Sequence, residues 1–166
     1  MKIQNGPFLF ILFCFVLHSA FLGLNKNPAQ KPPPPEDSIY YEDWHARAEE
    51  DYAAATSLVK EDVASYAAIC FLSHQAVEKV LKSAYYKQGI IPEKIHDTKR
   101  LAEKLVPKYL ELGYLDHALD ALDKIYVPSR YPQDPPEIEF TKEKARECWD
   151  TAGVVMSYFK TEKMLL

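Results

Sequence analysis

The sequence predicts an all-α protein, an antiparallel up-and-down bundle of four to five helices over residues 43–166. Three observations lead there. Apolar residues recur at steps of three and four through most of that span. Only five glycines occur in 166 residues, while Ala, Leu, Lys and Glu are plentiful. Most of the twelve prolines cluster, at Pro28 and Pro32 to Pro35 and again at Pro128, Pro132, Pro135 and Pro136. Clustered prolines mark linkers and loops and leave the intervals between them free to be helical.

The first helix is expected over Trp44–Lys60 with Asp43 as N-cap, putting Trp44, Ala48, Tyr52 and Ala55 on one face. The second, over Val63–Gln88, carries the clearest stripe: Ala67, Cys70, Phe71, His74, Val77, Leu81, Ala84 and Tyr85. Gly89 followed by Pro92 supplies its stop. A third helix starts near Thr98, and Pro107 must kink it or open a new turn before Gly113 ends the pattern. The fourth runs over Leu115–Tyr126 with Leu119, Leu122 and Ile125 inward. A polar, proline-rich loop over Val127–Phe140 follows. Thr141 then reads as the N-cap of a last helix that buries Ala145, Cys148, Ala152, Val155 and Phe159.

Ahead of the bundle stand two segments that cannot contribute to such a core. Residues 1–24 contain the apolar run Pro7–Leu24, which reads as a signal peptide, a membrane anchor or an over-extended start. Residues 25–42 form a proline-rich linker, with Pro32 to Pro35 extended as polyproline II. The bundle itself reads as cytoplasmic; retention of 7–24 would instead anchor it to a membrane or direct it to secretion.

A hydrophobic content of 48% suits one domain with a real core. A disulfide between Cys70 and Cys148 is one reading, but such a core needs no staple, so buried free thiols are the expectation. No Cys or His spacing suggests a metal site, and no glycine-rich phosphate loop or cofactor motif appears. The net charge of −4 excludes broad, non-specific nucleic-acid binding, which needs a large basic surface, but leaves room for a local basic site.

Four places could carry chemistry. His74 and Glu78 lie one turn apart on the second helix. They are either half of a metal site with no further ligands in view, or a core-edge histidine beside a Glu78–Lys82 pair at i, i+4. The spacing favours the second. His96, in Lys94-Ile95-His96-Asp97, could cap a helix, bind an anion, serve as an acid–base group or do none of these. Lys94, Lys99, Arg100, Lys104 and Lys108 make a local basic face interleaved with acids. Arg130 is the strongest candidate. It sits in Pro128-Ser129-Arg130-Tyr131-Pro132, where two prolines restrict the backbone and Tyr131 can pack on the bundle. A guanidinium held this way suits bidentate phosphate binding or, equally, a surface ion pair.

Several of these segments together resemble the HEPN (higher eukaryotes and prokaryotes nucleotide-binding) family. Trp44, Ala48 and Asp51 are similar to the opening of that family's first helix. The stretch from Ala68 to Ala84, with Cys70-Phe71 and Gln75-Ala76-Val77-Glu78-Lys79-Val80-Leu81-Lys82, resembles its second helix. Arg130-Tyr131-Pro132 resembles its "RYP" signature. The resemblance implies a helical bundle that pairs into homodimers, binds nucleotides or RNA, and often acts beside a small nucleotidyltransferase as a toxin–antitoxin pair. Its ribonuclease members carry a histidine four to six residues after the arginine. Here no histidine follows Arg130, the last being His117. The expected function is therefore non-catalytic binding of nucleotide or RNA phosphate. Arg130 supplies charge, Tyr131 a stacking surface, Lys79 and Lys82 secondary charge, and His74, Glu78 and His96 complete the candidate set. The alternative is a metal-independent ribonuclease toxin in which His74 or His96 takes the missing role.

Overall fold

The structure, a computed structural model, describes residues 38–132 and 138–164. The apolar run Pro7–Leu24, linker residues 25–37 and loop prolines Pro135 and Pro136 lie outside the described residues. The described part belongs to one helical unit, Ser38–Leu166. It holds α1 (Tyr41–Lys60), α2 (Tyr66–Lys87), α3 (Thr98–Leu105), a 3₁₀ turn (Leu110–Leu115), α4 (Asp116–Tyr126) and α5 (Lys142–Met164). No strand occurs among the described residues. The all-α bundle expected from the sequence is the architecture found, with α2 as its axle, packed on α1 and α5 and, more lightly, on α3 and α4.

The α2 stripe explains that central place. Val77, Val80, Leu81 and Ala84 are fully or almost fully buried, against Ala48 from α1, Leu101 and Leu105 from α3, Leu119 from α4 and Val155 from α5. A helix with apolar residues on more than one face has to be surrounded. A second, smaller cluster at the start of α2 joins Ile69 to Ile125 and Ala145.

Helix ends follow local chemistry. α2 stops in a Schellman motif: Gly89 has φ +70°, its N–H donates to the Tyr86 carbonyl and the Ile90 N–H donates to the Tyr85 carbonyl. Thr141 caps α5 by accepting from the Lys144 N–H at 3.2 Å, as its position predicts. Pro107 does not sit within a helix, because α3 ends at Leu105 and the chain tightens into a 3₁₀ turn three residues beyond it.

Two boundaries and one bond differ from expectation. α1 begins at Tyr41 rather than Trp44, so Asp43 lies in the first turn and accepts from the Ser38 hydroxyl at 2.5 Å instead of capping. α2 begins at Tyr66 rather than Val63, because residues 61–65 turn the chain: Asp62 takes φ +50° and the Val63 N–H donates back to the Leu58 carbonyl. Cys70 and Cys148 are not free thiols. They occupy facing positions on α2 and α5 with Cα atoms 5.2 Å apart, inside the range a disulfide spans, and they are bonded.

That disulfide closes a loop of sequence separation 78. Restricting the unfolded chain over such a loop is worth about 4.5 kcal/mol by loop entropy alone. Cys148→Ser is therefore expected to lower the thermal midpoint by several degrees. Dithiothreitol should lower the wild-type midpoint to a similar extent and leave the variant unmoved; equal midpoints with and without reductant would contradict a bonded pair.

Candidate functional site

Arg130 is held by the turn that follows α4. The Ser129 N–H donates to the Ile125 carbonyl, and the N–H groups of Arg130 and Tyr131 both donate to the Val127 carbonyl. The Ser129 hydroxyl donates to the Tyr126 carbonyl at 2.8 Å. Four residues of helix-like rise place Arg130 beside Tyr126, and Nη1 donates to the Tyr126 hydroxyl at 2.8 Å. The guanidinium carbon lies 5.3 Å from the Phe71 ring centre, 5.5 Å from Tyr126 and 5.3 Å from Tyr131. Three ring faces thus fix the direction of an exposed cation. Among the described residues no carboxylate pairs with it.

The rings extend the site inward. Tyr126 stacks on His74 with centres 4.4 Å apart and on His96 at 5.0 Å, so one phenol lies against both histidines and the guanidinium. His74 is fully buried, and its Nε2–H donates to Asp123 Oδ1 at 3.1 Å. The same carboxylate accepts from the Thr98 N–H (2.8 Å), the Thr98 hydroxyl (2.9 Å) and the Lys99 N–H (3.0 Å). Asp97 takes the Arg100 N–H at 2.8 Å. The first three amides of α3 are therefore capped, two of them by an acid from α4. Burial pushes the Asp123 carboxyl up, but the hydrogen bonds from His74, Lys99 and Thr98 together outweigh it and hold it below the ordinary aspartate value.

Glu78 forms the other half. It is almost completely buried, accepts from Lys82 Nζ at 2.7 Å and from His96 Nδ1–H at 2.9 Å, and receives a longer bond from Gln75 at 3.3 Å. Burial raises its carboxyl, and the Lys82 and His96 bonds and charges reverse that to a net lowering. With Nδ1 committed as donor, the neutral His96 ring keeps Nε2 as its acceptor nitrogen. The His96 side chain is 59% exposed.

The residues singled out from the sequence therefore divide. Arg130, His74 and His96 meet around Tyr126, Tyr131 lies against Arg130, and Glu78 with Lys82 forms the buried ion pair behind His96. The i, i+4 pair is the arrangement the spacing favoured, and among the described residues no cluster of three or more metal-ligand side chains occurs. Lys79 stands apart, paired with Asp51 of α1. Lys82 is buried against Glu78, with its Nζ 5.6 Å from the Trp44 ring, and does not present free charge. Tyr131 does not pack into the bundle; it is 56% exposed. Three residues belong to the site without having been candidates for it: Phe71 and Tyr126, expected only as helix residues, and Asp123. The Tyr126–Arg130 spacing of four was the available signal, whereas Asp123 carried none.

Outward from the rings lies an open groove of about 660 Å³, bounded by Ser65, Ala67, Ala68, Phe71, Ser129 and Arg130. Its floor is the N-terminus of α2. No side chain caps that helix and its first turn holds no acid, so its leading N–H groups and partial positive charge are left to the groove. A guanidinium beside an uncapped helix N-terminus is an arrangement suited to an anion.

Comparison with known proteins follows the same lines. The HEPN domain model matches residues 41–163. Among solved structures the chain is similar to TT1696 from Thermus thermophilus, at 27% identity and a TM-score of 0.62, over 73% of this chain and 96% of that one. It is also similar to ST0689, described as an archaeal HEPN homologue, at 30% identity and a TM-score of 0.57, over 74% and 97%. No curated protein matches. Among the described residues no helix is long and apolar enough to cross a membrane.

Proposed function

The chain belongs to the HEPN domain family, and from that premise we propose that its Arg130 groove binds the phosphate of a nucleotide or RNA without cleaving it. The observation that carries this reading is the Arg130 guanidinium: oriented by Phe71, Tyr126 and Tyr131, and neutralised by no described carboxylate. The uncapped start of α2, which lines the same groove, supports it. Binding is electrostatic at its core, so fluorescence anisotropy with a labelled short RNA or nucleotide should show affinity falling steadily with added salt. Affinity indifferent to salt would remove the phosphate contact from the account.

A ribonuclease with a displaced histidine is the second reading, and the Glu78–His96 pair favours it. A buried carboxylate fixing one imidazole nitrogen prepares the other as a base, one phenol ring away from Arg130. That reading predicts RNA cleavage in the presence of chelator, lost in His96→Ala. RNA left intact by the purified wild type leaves binding alone.

The proposal extends to a homodimer that sets two Arg130 loops around one cleft, acting in the cytoplasm with a small nucleotidyltransferase. Light scattering should give twice the chain mass of 19.1 kDa. A membrane or secreted location through residues 7–24 is the alternative, and N-terminal sequencing of the native protein separates the two.

A further inference from the structure

A second hollow, of about 460 Å³, opens where the end of α1, the 61–65 turn and the start of α5 meet. Leu58, Val59, Val63, Ile69 and Ala145 make its walls apolar. Four charged side chains also line it: Asp62, Lys142, Glu143 and Arg146. Three of them are already engaged. Asp62 Oδ1 pairs with Lys142 Nζ at 2.5 Å. Hydrogen bonds from its own N–H and from the Thr141 hydroxyl hold the Glu143 carboxyl below its ordinary value. Arg146 pairs with no carboxylate among the described residues, and its guanidinium carbon lies 5.2 Å from the centre of the Trp149 ring. That indole is itself anchored across the bundle. Its N–H donates to Thr56 Oγ1 of α1 at 2.9 Å, and it stacks on Tyr52. Arg130 is held in the same way, over rings and without a carboxylate, whereas Arg47 and Arg100 are paired with Glu50 and Glu93.

We propose that this hollow is a separate binding site for a small amphipathic monocarboxylate, its apolar body against Val59, Val63 and Ile69 and its carboxylate on Arg146. The proposal does not depend on what Arg130 binds. An apolar cavity of this size with a few polar groups at its edge is the usual form of a small-molecule site. The charge pattern selects the ligand. A neutral apolar molecule leaves the Arg146 guanidinium unused, and an amine meets a cation. A dianion such as a phosphate monoester faces Asp62 and Glu143 with one uncommitted cation to offset its two charges. A single carboxylate matches that one guanidinium and accepts two parallel N–H groups from its planar fork.

Isothermal titrations of the full chain with octanoate, octanol and octylamine test this, using wild type, Arg146→Gln and Val63→Glu. Both substitutions fall at exposed positions, and the melting temperature of each variant checks that it folds. Wild type should bind octanoate saturably and at least about tenfold more tightly than octanol, the difference expected for hydrogen bonds between charged groups. Octylamine should bind more weakly still. Arg146→Gln should lose the preference and bind octanoate no better than octanol. Val63→Glu, which sets a charge among the apolar walls, should weaken both. If Val63→Glu does not fold, Arg146→Gln decides alone. Three results each overturn the site: no saturable octanoate binding by wild type, octylamine bound as tightly as octanoate, or octanoate affinity unchanged in Arg146→Gln. None of them bears on the Arg130 groove, whose ligands are titrated separately.

Discussion

Asp123→Ala should lower the stability of the helical unit by about 3 kcal/mol or more, the largest loss expected of any polar substitution here. The side chain accepts four hydrogen bonds, from His74, the Thr98 hydroxyl and the N–H groups of Thr98 and Lys99. Thr98 and His74 are fully buried, so alanine leaves their donors without partners or water. Asp123→Asn keeps two acceptor directions and should lose less. Urea unfolding at neutral pH measures both. The acid limb carries a second expectation. The Asp123 and Glu78 carboxyls are both held below their ordinary values in the fold. Their contribution is thus complete above the unfolded carboxylate value of about 4 and is lost as pH falls through the depressed folded values. Wild type and Asp123→Ala should accordingly converge in stability as the pH is lowered below about 4. A constant gap down to the acid transition would mean that the carboxylate charge is not what holds the N-terminus of α3.

Arg130→Ala should weaken nucleotide or RNA binding by about ten- to a hundredfold, the range expected for losing hydrogen bonds to a charged group. The melting temperature should fall by less than in Asp123→Ala, because Arg130 is exposed and makes no ion pair among the described residues. Its contacts with three rings contribute about 0.5–1 kcal/mol each at an exposed site, and the Tyr126–His74 stack beneath them survives the truncation. Arg130→Lys should recover only part of the affinity. Lysine supplies the charge but neither the planar fork nor the stacking that fixes its direction. A lysine variant that matches wild type would show that only net charge matters at this position.

The axle of the fold was legible because α2 repeats apolar residues at helical spacing, and burial of Val77, Leu81 and Ala84 is what that spacing encodes. Its end was legible too, since a glycine with φ +70° is the common solution for stopping a helix. Its start was not. Val63 and Tyr66 both fit the stripe, and only the backbone turn through Asp62 decides between them. Within the site, Arg130 and Tyr131 stood out because prolines flank them, and Glu78–Lys82 because the pair is local. The long-range partners had no such mark: His74 meets Asp123 across 49 residues and Glu78 meets His96 across 18. Those pairings depend on how α2, α3 and α4 lie together, which periodicity along one helix does not encode. Lys79 illustrates the same gap. One residue on from Glu78, it turns toward α1 and meets Asp51, so sharing a helix with the site did not place it there. For Cys70 and Cys148 the sequence favours free thiols over a disulfide, because nothing in their spacing shows that α2 and α5 bring them face to face.

The central claim, that phosphate sits between Arg130 and the start of α2, is tested most directly by nuclear magnetic resonance of the isotope-labelled chain during titration with AMP. Saturating shifts of the Tyr66, Ala67 and Ala68 backbone amides are expected together with that of the Arg130 Nε–H, and the amide shifts should disappear in Arg130→Ala. Shifts confined to another face of the bundle, or shifts at α2 that persist unchanged in Arg130→Ala, would contradict it.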